Sequence, residues 1–286
     1  MVTPLRGGYL LYWRNMSKRK TKKKHNPNTI TRNPRVGIYT LCPRNVVDTG
    51  FMRSLTTLFL VDGGQTISGL HTTHTARSAL GRSQAVAHFL TTPLEYLMWI
   101  DSDMVFTPEA YFDLFAEAMK GHKIVTGLAF MYDEGAKLIM PNIFMWNDES
   151  HQHEVQVTYE KDASFWCDAT GVAFTLIHRS IFEGLIEHGY EDNWHFDWHE
   201  HPATGTPMGH DVAFFWAART LLGERVWYVS KAKTGHRKTV EIAEENFEQM
   251  MTSYKALRNM PEEDRPPLTE KQLAMLKPEI RIEKGV

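Results

Sequence analysis

The segment YLMWIDSDM, residues 96–104, joins an unbroken apolar run to two carboxylates. Such a run is typical of a strand that is buried on both faces of a parallel sheet. Asp101 and Asp103 follow where this strand ends, and ligands of open α/β sheets bind at the carboxyl ends of the strands. Residues two apart in extended backbone point to the same side, so we expect both carboxylates to face one ligand.

Two neighbouring carboxylates are oxygen ligands of the kind that Mg²⁺ and Mn²⁺ prefer. The same residues would also suit a turn after the strand, because Asp is a common turn former. An Asp-x-Asp pair alone does not distinguish these two interpretations, which depend on the elements around it.

Strand and helix patterns alternate on both sides of this segment. Strands are predicted at residues 36–41, 66–70, 96–100 and 123–128, with helices from Met52 to Gly63, over 76–90 and from Thr107 to Gly121. The second half is less regular, with extended sequence over 164–177, a loop over 195–209, a helix over 211–222 and a last strand over 226–229. The alternation predicts an α/β fold with a mostly parallel central sheet flanked by helices, followed by C-terminal helices.

The charge distribution divides the chain into parts. Residues 1–35 hold 10 of the 32 Lys and Arg residues and no acidic residue, which leaves 22 basic residues against 34 acidic ones in the remainder. We predict a basic, disordered tail over 1–35, a folded domain over 36–240 and a helical extension over 241–286. The tail would be either an arm that contacts nucleic acid or another polyanion, or a solubilising segment.

Cysteine content and hydropathy indicate the compartment. The chain of 286 residues has two cysteines, Cys42 and Cys167, so it is not a disulfide scaffold. Sparse cysteine favours a reducing cytoplasm. We expect no membrane span, because no apolar run approaches about 18 residues, and no signal peptide, because the N-terminal apolar stretch is short and lacks a cleavage site.

Six segments in order resemble the motifs of GT-A glycosyltransferases, nucleotide-sugar enzymes built on a Rossmann-like sheet. The resemblance covers about 70% of the chain, and its segments are VGIYT at 36–40, RSQAV at 82–86, WIDSD at 99–103, IVTGLAF at 124–130, GHDVAF at 209–214 and TGH at 234–236. Two positions depart from the family pattern. Ser83 stands where Asn is common, and His210 replaces the Glu of a Glu-Asp pair.

The resemblance implies a hexosyltransferase-like enzyme with a defined donor site. A nucleotide-diphosphate sugar would contact Thr40, Arg82, Asp101 and Ser102. A cation would be bound by Asp101, Asp103 and His236, and an imidazole ligand favours Mn²⁺ over Mg²⁺. The cation would neutralise the diphosphate leaving group as a Lewis acid, an effect worth several kcal/mol.

Transfer with inversion also requires a base within hydrogen-bond reach of the acceptor hydroxyl. Asp211 is the first candidate and Asp168 the second, although Asp211 would also suit a helix cap. A retaining enzyme would need neither of them as a base.

The acceptor and the reaction class leave alternatives. The basic tail favours DNA, for example a hydroxymethylated base that the enzyme flips from the duplex, while a protein or a glycan stays open. A metal-dependent nucleotidyltransferase would also use Asp-x-Asp. A third possible function is ligand binding without catalysis.

The loop over 195–209 allows two interpretations. Its acidic and histidine side chains suggest zinc, but their spacing fits no common zinc motif. We favour a lid that closes over donor or acceptor and excludes water. Trp194 and Trp198 would stack on a ligand or pack beneath this loop.

Overall fold

The computed structural model describes residues 35–43, 46–75, 77–133, 138–190, 195–196, 199–201 and 204–237. Within them the strands are β1 (Val36–Leu41), β2 (Ile67–Thr73), β3 (Tyr96–Ile100), β4 (Met104–Phe106), β5 (Ile124–Leu128), β6 (Phe130–Asp133), β7 (Leu138–Pro141), β8 (Phe144–Asn147), β9 (Gln152–Val155), β10 (Ser164–Cys167), β11 (Phe174–His178), β12 (His199–Glu200), β13 (Pro207–Met208) and β14 (Val226–His236). The helices are α1 (Thr49–Asp62), α2 (Ser78–Leu90), α3 (Pro108–Met119), α4 (Arg179–Glu187) and α5 (His210–Leu222).

Eight of the strands form one central sheet. Its order is β10-β14-β5-β11-β3-β1-β2, and β4 pairs with β14. The pairs β1–β2, β1–β3 and β5–β14 are parallel, whereas β3–β11, β5–β11, β10–β14 and β4–β14 are antiparallel. The predicted α/β class is confirmed, but the sheet is mixed rather than mostly parallel, because β11 returns antiparallel between β3 and β5.

The apolar run of β3 is buried on both faces of this sheet, as predicted. Leu97 and Trp99 belong to one hydrophobic cluster, which includes residues of α2, α4 and α5. Met98 and Ile100 belong to the other, which includes residues of α1 and α3. The side chains alternate between the two clusters because successive residues of a strand point to opposite faces.

The structure resolves the irregular second half into elements that were not predicted. The hairpins β6–β7 and β8–β9 occupy a region with no predicted strand. The last strand continues well beyond Val229 to His236. The proposed loop over 195–209 contains two short paired strands, β12 and β13.

A close approach at Gly127 lets β14 bend. Val229 is in register with Gly127, but the next partner of β5, Leu128, is in register with Lys233. A Cβ atom on Gly127 would lie 2.7 Å from the carbonyl oxygen of Ala232 within this irregularity. Beyond it, β14 pairs with β4, so Gly127 allows the path that carries His236 to the end of the sheet.

Gly127→Ala is expected to destabilise the fold by about 1–3 kcal/mol, because overpacking forces neighbouring backbone to move. Urea denaturation measures the loss. Gly69→Ala is the matched control, since a Cβ there meets nothing within 4 Å, and a change within about 0.5 kcal/mol is expected. Equal midpoints for the two variants would contradict the role given to Gly127.

Several predictions lie outside the described residues. They are the N-terminal tail up to residue 34, the helical extension over 241–286 and the side chains of Trp194 and Trp198. In the part of the chain that the structure covers, no helix combines the length and apolarity that crossing a membrane requires.

Candidate functional site

The Asp-x-Asp pair lies in a tight turn at the carboxyl end of β3. Three backbone hydrogen bonds fix this turn, from Met104 N–H to Asp101 O (3.0 Å), from Asp48 N–H to Ser102 O (3.0 Å) and from Arg237 N–H to Asp103 O (2.9 Å). Extended backbone does not continue through the pair, because the turn begins at Asp101. That both carboxylates face one ligand stays a prediction. Asp101 is hydrogen-bonded to Arg82 and Asp103 to His236, and both carboxylates act on the charge of Arg82.

Asp101 is paired with Arg82, which α2 holds 4% exposed. Arg82 Nη2 donates to both oxygens of Asp101, at 3.1 and 3.2 Å. Its Nε lies 3.5 Å from Asp211 Oδ1, and its guanidinium lies over the Trp99 ring, 5.1 Å from the centroid. Arg82 therefore bridges the end of β3 and the start of α5.

Arg82 stays charged in this position. Burial alone would lower its pKa, but the carboxylates of Asp101 and Asp211 outweigh burial and raise the pKa above its ordinary value. The Asp103 carboxylate raises it further, so one buried cation interacts with three carboxylates. Its Nη1 is buried and has no hydrogen-bond partner among the described residues.

Asp103 is paired with His236, the last residue of β14. His236 Nδ1 lies 2.9 Å from the carbonyl oxygen of Phe130, which can only accept, so Nδ1 carries a hydrogen. His236 Nε2 lies 3.1 Å from Asp103 Oδ2. In the neutral ring, a nitrogen lone pair then faces a carboxylate oxygen, and the contact requires a cation between the two atoms or a second proton on the ring.

The Asp103–His236 pair fits a divalent cation. Two donor atoms 3.1 Å apart can share one ion at bond lengths of roughly 2.0–2.2 Å. Metal-binding histidines commonly donate their other ring N–H to a carbonyl, as His236 does to Phe130. Mg²⁺ sites often use one or two protein ligands and take the rest from substrate phosphates and water.

Larger clusters of metal-binding side chains do not occur in the described part of the chain. No group of three or more His, Cys, Asp or Glu residues converges there. Of the three predicted ligands, the structure brings Asp103 and His236 into contact, whereas both oxygens of Asp101 accept from Arg82. In the 195–209 loop, His195 is buried against the carbonyl of Phe182.

Thr40 and Ser102 lie at the same end of the sheet as Asp101. Tyr39 of β1 is in parallel register with Trp99 of β3, so Thr40 follows on the strand beside Asp101. Thr40 is 1% exposed, while Ser102 is half-buried and its carbonyl is bonded to the loop before α1. Both residues therefore lie at the end of the sheet that carries the two carboxylates, and a role for them in donor binding stays a prediction.

Asp211 lies in the first turn of α5. Its Oδ1 is 3.2 Å from His210 Nε2, and its Oδ2 accepts from the backbone N–H of Val172 at 3.4 Å. An acidic residue in the first helical turn is favourable because it faces the positive end of the helix dipole. Asp211 thus serves the helix and also contacts Arg82, which joins it to the donor-site residues.

Asp168 has different partners from the other predicted residues. It is 4% exposed and accepts from the backbone N–H of Trp146 at 2.9 Å. Arg219 and Arg225 each approach its Oδ1 at 3.0 Å. These ion pairs join the residue after β10 to α5 and to the segment that follows it. The structure does not bring Asp168 together with Arg82 and Asp101.

A cleft of about 140 Å³ opens beside the start of α5. Its walls come from the β8–β9 hairpin, the β12–β13 pair and the first turn of α5, and include Trp146, His153, His201, Met208, Gly209 and Val212. Trp146 stacks on His201 with ring centroids 4.9 Å apart. Trp146 of β8 pairs across the hairpin with His153 of β9, a contact between strands that the sequence analysis did not predict.

His153 is expected to stay neutral well below pH 6. Burial lowers its pKa to about 4, although the Asp168 carboxylate opposes the shift. An unfolded histidine has a pKa of about 6.5, so the unfolded chain binds more protons between these values and stability falls as the pH drops from about 6.5 to about 4. His153→Gln should flatten this part of the stability profile, and NMR titration of the ring should show little movement above pH 5. Ring signals that titrate near pH 6.5 would contradict this expectation.

Comparisons with known proteins give little further information. No protein-family model matches the chain, and no curated protein matches its sequence. Among solved structures, the crystal structure of A197 from STIV is similar, with 17% sequence identity and a TM-score of 0.46 over 72% of this chain and 86% of that chain. A likeness at this level carries no argument about what this chain does.

Proposed function

We propose that the protein is a metal-dependent glycosyltransferase that moves a sugar from a nucleotide-diphosphate sugar to an acceptor hydroxyl. The observation that supports this proposal is that charged side chains from separate strands and helices contact one another at one end of the sheet. Arg82 on α2 contacts Asp101 after β3 and Asp211 on α5, and Asp103 contacts His236 on β14. These residues are far apart in sequence and belong to the motifs that resemble GT-A enzymes.

The fold is compatible with a Rossmann-like GT-A assignment, which is part of the proposal. The strands β2, β1 and β3 are neighbours and run parallel, and helices that follow β1 and β2 pack on opposite faces. In open sheets of this kind, ligands bind beyond the carboxyl ends of the strands. The two carboxylates and Thr40 lie at that end.

The donor site would use two kinds of group. Asp103 and His236 would hold Mn²⁺ or Mg²⁺, which when bound supplies Lewis-acid stabilisation of the departing diphosphate. Arg82 keeps its charge, which would attract the phosphates of a bound donor. A guanidinium is well suited to phosphate oxygens because it stays protonated and presents its donors in a fixed plane.

The contacts favour this reaction over nucleotidyl transfer. A two-metal nucleotidyltransferase needs carboxylates for both ions. Here Asp101 is engaged by Arg82, and Asp103 is joined by a histidine, which suits one ion. The acceptor would be DNA with a hydroxymethylated base, a protein or a glycan, and the basic tail that favours DNA lies outside the described residues.

Calorimetry with a panel of nucleoside diphosphates tests the proposal. Each nucleotide is titrated into the full-length protein with Mn²⁺, with Mg²⁺ and with a chelator. We expect binding of at least one nucleotide that requires the cation, and the preferred base then identifies the donor class. Binding that is equal with and without cation, or no binding of any nucleotide, would overturn the proposal.

A further inference from the structure

The cleft beside the start of α5 is walled by two hairpins that lie outside the central sheet. The β8–β9 hairpin supplies Trp146, and the β12–β13 pair supplies Met208. The two walls meet where Trp146 stacks on His201. The cleft is therefore formed largely by elements other than those that carry the predicted donor-site residues.

The start of α5 connects this cleft to the predicted donor-site residues. Gly209 and Val212 line the cleft, and between them in sequence lies Asp211, whose Oδ1 is 3.5 Å from Arg82 Nε. Arg82 in turn donates to Asp101. A ligand in the cleft would therefore lie against the helical turn that contacts the donor site, and transfer requires donor and acceptor to be held close together.

The walls of the cleft carry no fixed charge. Among the described residues that line it there is no Asp, Glu, Lys or Arg. His153 is neutral near pH 7, because burial lowers its pKa to about 4. A charged group that entered would lose part of its hydration without gaining an opposite charge, which costs free energy. The cleft therefore favours an uncharged ligand.

The volume of the cleft suits one ring. It is about 140 Å³, close to the cavity of about 150 Å³ that accommodates a benzene molecule. A serine or threonine side chain would fill only part of this space, and a peptide segment would extend beyond it. A single uncharged ring is the group that this space can enclose.

The arrangement of the aromatic side chains does not suit a nucleobase. A base flipped from a duplex is read by stacking between aromatic or apolar side chains. The parallel rings of this cleft, Trp146 and His201, are already in contact, with centroids 4.9 Å apart. The His153 ring meets Trp146 at an interplanar angle of 69°. These described rings therefore leave no slot between parallel faces for a base.

The lining does combine the two kinds of side chain that a sugar ring requires. A pyranose presents C–H groups on its faces and hydroxyls around its edge. Apolar side chains that can pack on the C–H groups are Phe144, Trp146, Met208 and Val212. Gln152, Thr206 and the neutral histidine rings both donate and accept hydrogen bonds, as a sugar hydroxyl also does.

We infer that this cleft is the acceptor subsite and that it binds one uncharged sugar ring. The acceptor is then a neutral glycan rather than a modified base in DNA or a protein side chain. The inference rests on the proposed glycosyl transfer and adds the class of acceptor to it.

Saturation-transfer NMR on the full-length protein tests this assignment, with Mn²⁺ and the nucleoside diphosphate that binds best by calorimetry. The probes are neutral methyl hexosides, methyl glucuronide as their charged counterpart, and 5-hydroxymethyldeoxycytidine as a nucleoside. Each is titrated into wild type, Trp146→Ala and Gln152→Ala. Trp166→Ala is the matched control, because Trp166 is 42% exposed on β10 and is not among the described residues that line the cleft.

We expect at least one neutral methyl hexoside to bind, and its dissociation constant to rise at least about tenfold in Trp146→Ala, as for the loss of an aromatic anchor. Gln152→Ala should raise it by about threefold through a lost hydrogen bond. Methyl glucuronide should bind at least about tenfold more weakly than the neutral probe. Trp166→Ala should match wild type, and every variant should keep cation-dependent nucleotide binding.

Four results would overturn the assignment while the proposed function stands. They are no binding of any neutral hexoside, binding of the nucleoside in its place, equal binding of methyl glucuronide, and equal losses in Trp146→Ala and Trp166→Ala. If Trp146→Ala does not fold, an unchanged affinity in Gln152→Ala overturns the assignment instead. Absence of cation-dependent nucleotide binding in wild type would mean that the proposed function itself has failed.

Discussion

Asp103→Asn is expected to remove cation-dependent nucleotide binding and to lower sugar transfer by at least about 100-fold. The substitution keeps the shape of the side chain but removes the charge that faces His236 Nε2 at 3.1 Å. A cation that neutralises a departing diphosphate contributes several kcal/mol, and each 1.36 kcal/mol is about tenfold in rate. Calorimetry with and without Mn²⁺, followed by a transfer assay, measures both effects.

The fold should survive this change. The Asp103 and His236 side chains are 35% and 18% exposed, and a partly exposed ion pair contributes only about 0–1 kcal/mol to stability. Asp162→Asn is the matched control, because Asp162 is 63% exposed and pairs with Lys233. A variant at Asp103 that binds nucleotide with the same cation dependence as this control would rule out the metal role.

Local sequence signals located the elements that carry the site. The apolar run of β3 predicted a strand buried on both faces, and Gly63 predicted the end of α1, where it takes the left-handed φ of 57°. Both predictions depend on interactions within a few residues, or on simple burial. The grouping of Asp103 with His236 followed from the motif order, whereas the contacts of Arg82 with Asp101 and Asp211 did not.

The remaining features depend on contacts between distant segments. A turn rather than continued extended backbone follows β3, and Asp suits both a turn and a ligand site, so the local sequence did not decide between them. The reversed direction of β11 is not encoded in its own apolar pattern, which is the same for parallel and antiparallel neighbours. The path of β14 to His236 requires the close approach at Gly127, which no local pattern indicates.

Arg82 links Asp101, which follows β3, to Asp211 on α5. Its removal should therefore have the largest effect on stability. Arg82→Met keeps most of the buried volume but leaves Asp101 and Asp211 without the cation between them. Removing one partner of a buried ion pair typically costs about 3–5 kcal/mol. The Asp101 and Asp211 side chains are 24% and 21% exposed, so we expect a loss near the lower end, about 3 kcal/mol.

Urea denaturation of Arg82→Met measures this loss, and Arg53→Met on the exposed face of α1 is the matched control, with an expected change within about 0.5 kcal/mol. Arg82→Lys should recover only part of the stability, since an ammonium cannot reproduce the planar donors that reach both carboxylates.

Adding Asp211→Asn to Arg82→Met should restore some of the lost stability, because the uncompensated carboxylate is the source of the loss. The two substitutions would then be non-additive, as expected for residues in contact. Strict additivity, or equal stability of Arg82→Met and Arg53→Met, would mean that the guanidinium does not hold β3 and α5 together, and the site would have to be stabilised by packing alone.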